Sequence, residues 1–207
     1  MARAGRERRV MEQSLETCFE EAVRAAGLLF DRNKVTGSTG NISFRYGGNM
    51  YISGNGTCFG WLGRSDFAVI DSSGRQLSDI KPSKEYPLHK IIYDAKPEIH
   101  AVIHTHSFYS TLVSCMADEQ SRDVFSDITP YLRMKVGTIG MIPRAVPGSA
   151  ELFDALAQRV HDSGGYLLAD HGPLIGGTDI RSAFYGIEEI EETSKIHYYL
   201  QAIERRE

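Results

Sequence analysis

Cysteine is scarce in this sequence: Cys18, Cys58 and Cys115 are the three present in 207 residues, odd in number and widely spaced. That count excludes a disulfide framework and a paired-cysteine zinc site, and it reads as reduced, buried thiols in a cytoplasmic protein. Proline occurs seven times and tryptophan once, so proline-rich linkers and fibrous repeats are excluded. No stretch approaches the roughly 18 consecutive apolar residues of a membrane span. Positive charge is not in excess either. Against 23 basic residues stand 27 acidic ones, a formal net charge of -4, and a nucleic-acid backbone has no global attraction to such a chain. Neither nucleic acid nor membrane is therefore expected as a partner. The one dense basic run, Arg3, Arg6, Arg8 and Arg9, lacks the apolar stretch of a secretory signal; residues 1–11 read as a flexible N-terminal segment.

What is present is ordinary globular composition, 42% hydrophobic and 24% charged. A chain of this length can bury roughly 70% of its unfolded surface in one core. No internal repeat or linker divides it, so residues 12–207 are expected to form a single domain. Leu15, Cys18, Phe19, Ala22, Val23, Ala26, Leu29 and Phe30 recur at helical spacing and predict a helix over 12–30. Strands are expected at 42–45, 50–52 and 67–70, the first two joined by the turn Gly47-Gly48-Asn49. A helix over 85–95 follows, then a strand over 101–106 and a helix over 107–116 capped by Ser107. Later strands are predicted at 133–136, 139–142 and 165–169, and helices at 150–163, capped by Ser149, and 180–200. This order implies an α/β fold of three layers, a mainly antiparallel central sheet flanked by helices.

Seven histidines are the chain's unusual resource. His104 and His106 stand two apart on a predicted strand, so their side chains emerge on one face and can converge on an ion, although such a pair by itself is more often polar packing than a ligand set. His171 follows an apolar strand, in Asp170-His171-Gly172-Pro173, where the chain turns. Three neutral imidazoles can bind zinc or a related divalent ion and leave a coordination position open. His89, His100, His161 and His197 lack convergent spacing and are read as helix-surface or packing residues. Glu85 follows Lys81-Pro82-Ser83-Lys84 at a helix entry, where unsatisfied backbone N–H groups favour an anion. The loops Thr36-Gly37-Ser38-Thr39-Gly40-Asn41 and Ser53-Gly54-Asn55-Gly56-Thr57 offer more donors of this kind, although any one of the three can be a plain turn.

Taken together, and in this order, these segments resemble the class II aldolase and adducin head superfamily, from about Glu12 to Leu200. The resemblance implies a divalent metal, usually Zn2+ with Mn2+ or Co2+ as alternatives, on His104, His106 and His171. Glu85 beside it would be the acid/base group and a fourth ligand in the empty site. It implies further that Gly40, Asn41, Asn55, Gly56, Ser83 and Lys84 surround a substrate phosphate. Tyr131 matches a proton-donor tyrosine contributed across a subunit interface, in a homo-oligomer for which a tetramer is favoured; a packed aromatic after proline is an equally open reading. Two features depart from the family pattern: Asp170 stands where asparagine is usual, and Gly54-Asn55-Gly56-Thr57 replaces a threonine and proline form.

Thr129-Pro130-Tyr131, Lys84-Glu85 and the run from Ile187 to Thr193 resemble the decarboxylating branch. The implied reaction is metal-dependent conversion of 3-oxo-tetronate 4-phosphate to dihydroxyacetone phosphate and CO2 through an enediolate. The alternatives are cleavage or epimerisation of a neutral sugar phosphate such as L-fuculose 1-phosphate or L-ribulose 5-phosphate, and a noncatalytic binding module of the adducin type.

Overall fold

The structure is a computed structural model that describes residues 14–126 and 128–204; the segment 1–11, expected to be flexible, lies outside them. In chain order its elements are α1 (Leu15–Asp31), β1 (Asn41–Tyr46), β2 (Asn49–Ser53), β3 (Phe67–Ile70), α2 (Tyr86–Ala95), β4 (Ala101–His104), α3 (Phe108–Ser114), α4 (Pro130–Lys135), β5 (Ile139–Ile142), α5 (Ala150–Arg159), β6 (Gly165–Leu168), β7 (Gly172–Gly177) and α6 (Ile180–Glu204). The strands form one seven-stranded sheet in the order β3-β2-β1-β4-β7-β6-β5. All neighbours are antiparallel except β5 and β6, which run parallel.

Alternation along the strands feeds two cores. Ile42, Phe44, Ile103, Leu167 and Ile175 pack with Phe19 and Leu29 of α1 and Ile187 and Ile190 of α6. Their sequence neighbours Val102, Leu168 and Leu174 point to the other face, among Leu88 and Ile92 of α2 and Leu152 and Leu156 of α5. The expected three-layer arrangement is the observed one. Each buried aliphatic side chain contributes on the order of 1.5–3 kcal/mol. Ser14 and Ser149 accept from Thr17 N and Leu152 N and so cap α1 and α5.

Three expectations need correction. The strand predicted at 133–136 is instead part of α4: Thr129 is extended at the N-cap, Pro130 opens the helix with its φ already set, and Arg133 and Lys135 complement the dipole in the last turn. Only Leu132 of that helix is buried, so the apolar alternation never faced a sheet. Second, no strand is predicted over 172–177, where Gly172-Pro173 and Gly176-Gly177 flank two apolar residues, yet β7 is a central strand paired with both β4 and β6. Third, Cys18 alone is a buried thiol; Cys58 is half-buried and Cys115 exposed, and all three are free. Among the described residues no helix is long and apolar enough to cross a membrane.

Adjacent residues of β7 serve opposite cores, which provides a stability test. Leu174→Ala and Ile175→Ala should each lower the unfolding free energy by about 2–5 kcal/mol, measured by urea denaturation. A loss under about 1 kcal/mol at either position would mean that its face of the sheet is not packed as described.

Candidate metal centre and anion pocket

β4 ends at His104, which is fully buried, and the chain then turns so that His106 comes back beside it. The turn from β6 to β7 delivers His171, preceded by Asp170 in the left-handed region at φ 56°. The three Nε2 atoms converge: His106 to His104 is 3.1 Å and His104 to His171 is 3.2 Å. Gly172 permits this approach. Its φ is 138°, and a Cβ there would lie 2.3 Å from Thr105 O and 3.3 Å from His106 Cα. His104 donates from Nδ1 to Pro173 O at 2.8 Å, which leaves its Nε2 lone pair facing the other two rings.

Glu85, the N-cap of α2, is 4% exposed and approaches the same point. Its Oε2 accepts from Asn41 Nδ2 at 3.0 Å and lies 3.6 Å from His104 Nε2. Its Oε1 has no hydrogen-bond partner and sits 3.3 Å from His171 Nε2. A buried carboxylate oxygen without a donor, beside three imidazole nitrogens in mutual contact, is unfavourable unless a cation sits among them. Four-coordinate zinc, with Zn–N distances of about 2.0–2.1 Å, would set its nitrogen ligands about 3.3–3.4 Å apart, close to the separations found. The residues therefore fit a divalent ion.

Protonation favours the same assignment. Burial, followed by the mutual effect of the rings, pushes His104 well below the ordinary imidazole value. Burial also lowers His106 to about 4, with His171 and Lys84 adding to the shift. For His171 the direction is again downward: burial is the main cause, Glu85 opposes it and Lys84 reinforces it. Neutral imidazoles are the form that binds metal.

These groups open into a cavity of about 430 Å³. Gly40, Asn41, Asn55, Gly56, Ser83 and Lys84 all line it, with Glu85, His106 and His171. The loops are tied to each other by Asn55 N to Lys81 O, 2.8 Å, and Ser83 N to Ser53 O, 3.2 Å. Those two backbone donors, expected to be free for an anion, are thus occupied; the Lys84 ammonium forms no ion pair among the described residues. Gly40 lies so close to the end of β4 that a Cβ would be 2.8 Å from His104 O. Tyr131 does not line the cavity and is 61% exposed on α4.

Sequence reasoning missed three participants. His89, set aside as packing, is fully buried and hydrogen-bonds Asn41; its i, i+4 spacing from Glu85 on one helix face was an available signal. Arg144 pairs with Asp170 at 2.8 Å, because parallel β5 and β6 carry both residues past the same end in matched register, Ile142 beside Leu168. Thr111 of α3 donates to His171 O at 3.3 Å and reaches the cavity wall.

Convergent imidazoles and a carboxylate at the end of a central strand, beneath a cavity bounded by small-residue loops, define a candidate metal centre with an adjoining anion pocket. The chain belongs to the family described as Class II Aldolase and Adducin N-terminal domain, which it matches over residues 20–198. It is 37% identical over 191 residues to the 3-oxo-tetronate 4-phosphate decarboxylase of Escherichia coli O6:H1 (strain CFT073), covering 92% of this chain and 89% of that one. It is also 33% identical over 178 residues to the L-fuculose phosphate aldolase of Methanococcus maripaludis (strain C7), covering 86% and 94%. The Klebsiella pneumoniae protein YgbL, for which aldolase, epimerase and decarboxylase assignments stand side by side, superposes with a TM-score of 0.87 at 34% identity over 91% of each chain.

His171→Ala should abolish stoichiometric zinc binding, measured by metal analysis after dialysis, and Gly172→Ala should weaken it about 10–100-fold by displacing the His106 and His171 backbones. Full retention of zinc by His171→Ala would refute the ligand set.

Proposed function

We propose that the protein is a zinc-dependent carboxy-lyase acting on 3-oxo-tetronate 4-phosphate and releasing dihydroxyacetone phosphate and CO2. The observation that carries this reading is one cavity in which Glu85, His106 and His171, with His104 buried against them, adjoin Lys84 and three small-residue loops. One end suits a polarisable oxygen function and the other a phosphate. Identity to the E. coli decarboxylase over 92% of the chain supports the particular reaction.

His104, His106 and His171 would hold the ion, which when bound supplies Lewis-acid stabilisation of negative charge developing beside a carbonyl. The chain's own groups do the rest. Lys84, with the Asn55 and Ser83 side chains and the glycine backbone at Gly40 and Gly56, would bind the phosphate and exclude water around it. Cleavage of the bond between C1 and C2 leaves the electron pair on C2, as the enediolate of dihydroxyacetone phosphate, and CO2 departs. One proton must then reach C2. Glu85 Oε1, buried and free of hydrogen bonds, is placed to carry it. Tyr131 is the alternative carrier, acting in the cavity of a neighbouring subunit, since in its own subunit it stands exposed on α4.

The proposal includes a cytoplasmic homo-oligomer, with a tetramer favoured. Exposed Phe108, Met134, Tyr199 and Ile203 supply apolar surface for association, and free Cys18, Cys58 and Cys115 fit a reducing compartment. A second reading, aldol cleavage of L-fuculose 1-phosphate, is favoured by the 33% identity to the methanococcal aldolase. Both reactions yield dihydroxyacetone phosphate, so the decisive assay gives each substrate to zinc-loaded protein and measures CO2 against lactaldehyde. CO2 from the oxo-tetronate is expected; lactaldehyde alone would transfer the assignment to the aldolase.

Glu85→Gln should lower turnover about 10²–10⁴-fold, the range of general acid/base catalysis, with the fold retained by circular dichroism. If Tyr131 acts in a neighbouring subunit's cavity, Tyr131→Phe protein is impaired too, and unfolding it together with Glu85→Gln protein and reassembling the mixture should restore some activity. Absence of recovery, with mixed oligomers verified by mass spectrometry, would remove Tyr131 from the neighbouring cavity.

A further inference from the structure

A chain of buried polar groups runs from Glu85 into the interior, and it has a direction. Asn41 Nδ2 donates to Glu85 Oε2 at 3.0 Å, while Asn41 Oδ1 faces His89 Nε2 at 2.5 Å. His89 Nδ1 meets Ser43 Oγ at 2.7 Å, and Ser43 Oγ meets Tyr93 Oη at 2.7 Å. His89 and Ser43 are fully buried, Asn41 is 3% exposed and Tyr93 4%. No water-exposed group interrupts the series.

An amide oxygen turned toward a carboxylate oxygen would oppose two acceptors, so Glu85 orients the Asn41 amide with its NH2 inward to the carboxylate. The Asn41 oxygen then requires a donor, and His89 Nε2 is the atom in place. Burial holds His89 down at about 3, so the ring carries one proton, and a proton on Nε2 leaves Nδ1 to accept from Ser43. Burial raises the Tyr93 phenol, which keeps its proton and can donate to Ser43. Every link is satisfied in one sense only: Tyr93 to Ser43, Ser43 to His89, His89 to Asn41, Asn41 to Glu85. Hydrogen bonds aligned head to tail polarise one another and strengthen the last of the series.

We propose that His89, acting through Asn41, is a positioning residue that fixes the rotation of the Glu85 carboxylate, holding Oε2 on the protein side and leaving Oε1 bare toward the imidazoles and the cavity. The role rests on the acid/base function proposed for Glu85. No link passes a proton through the Asn41 amide, so the chain orients rather than conducts. Ser43 and Asn41 belong to β1, and Glu85, His89 and Tyr93 to α2 and its cap. The same five residues therefore also lock the helix that carries Glu85 onto the sheet.

The test has two arms. In 15N-histidine NMR of the unsubstituted, zinc-loaded protein, His89 should show its proton on Nε2; a proton on Nδ1 would overturn the proposal whatever reaction the protein catalyses. In kinetics, His89→Leu should lower kcat about 10–100-fold, the effect typical of a group that orients a reactive or ligating side chain. KM should stay within about threefold and bound zinc should be unchanged. His89→Gln, whose amide nitrogen can replace Nε2 as donor, should recover most of the loss. Equal losses in both variants, or unchanged kcat in folded, zinc-loaded His89→Leu, would also overturn it. If the unsubstituted protein releases no CO2 from the oxo-tetronate, the functional reading fails while the NMR arm still decides the tautomer; the NMR arm likewise decides if His89→Leu does not fold.

Discussion

The antiparallel pairing of β4 with β7 is the constraint on which the site depends. In its register His104 lies beside Leu174, and Pro173 O accepts both Thr105 N and His104 Nδ1. That one carbonyl therefore holds the end of β4 in place and fixes the tautomer of its histidine. The glycine before it lets the turn carrying His171 press against the backbone between His104 and His106. A slip of one residue would send every side chain of the strand to the opposite face and place His104 among the apolar groups around α1 and α6. The candidate metal centre is thus a consequence of strand register, set by the aliphatic residues that fill both faces of the sheet.

Around this centre, polar groups are burdened with one another before any ligand arrives. Glu85, His104 and His171 are all buried within hydrogen-bond distances or slightly beyond, and each would be unfavourable alone in that position. Asn41, itself hydrogen-bonded to His89, engages one carboxylate oxygen of Glu85 and leaves the other without a donor. The chain's net charge of -4 conceals this local arrangement. At the cavity wall the positive contribution comes from Lys84, whereas Arg144 is matched by Asp170 and Glu119. An acidic protein can therefore present an anion pocket.

Much of this was legible in the residues. His104 and His106 at a strand end, His171 after an apolar strand, and the loops at 36–41 and 53–57 each suggested a part, and their order carried the family resemblance. The sheet's central strand β7 was not legible, because proline and glycine normally argue against such a position; here the glycines allow close approach of neighbouring backbone. The short helix α4 was hidden by an apolar alternation that leads to a single buried side chain, Leu132. His89 differs again. Its position on the helix could be read, but its role depends on Asn41 and Ser43 arriving from β1, a contact of long sequence separation that periodicity does not reveal. Arg144 and Asp170 likewise meet only through the parallel register of β5 and β6.

The central claim is that three histidines from two adjoining strand ends hold one divalent ion. X-ray absorption at the zinc edge of the loaded protein tests it most directly. The account predicts three imidazole nitrogens at about 2.0–2.1 Å, completed by oxygen. A first coordination sphere containing sulfur, or fewer than two imidazoles, would contradict it.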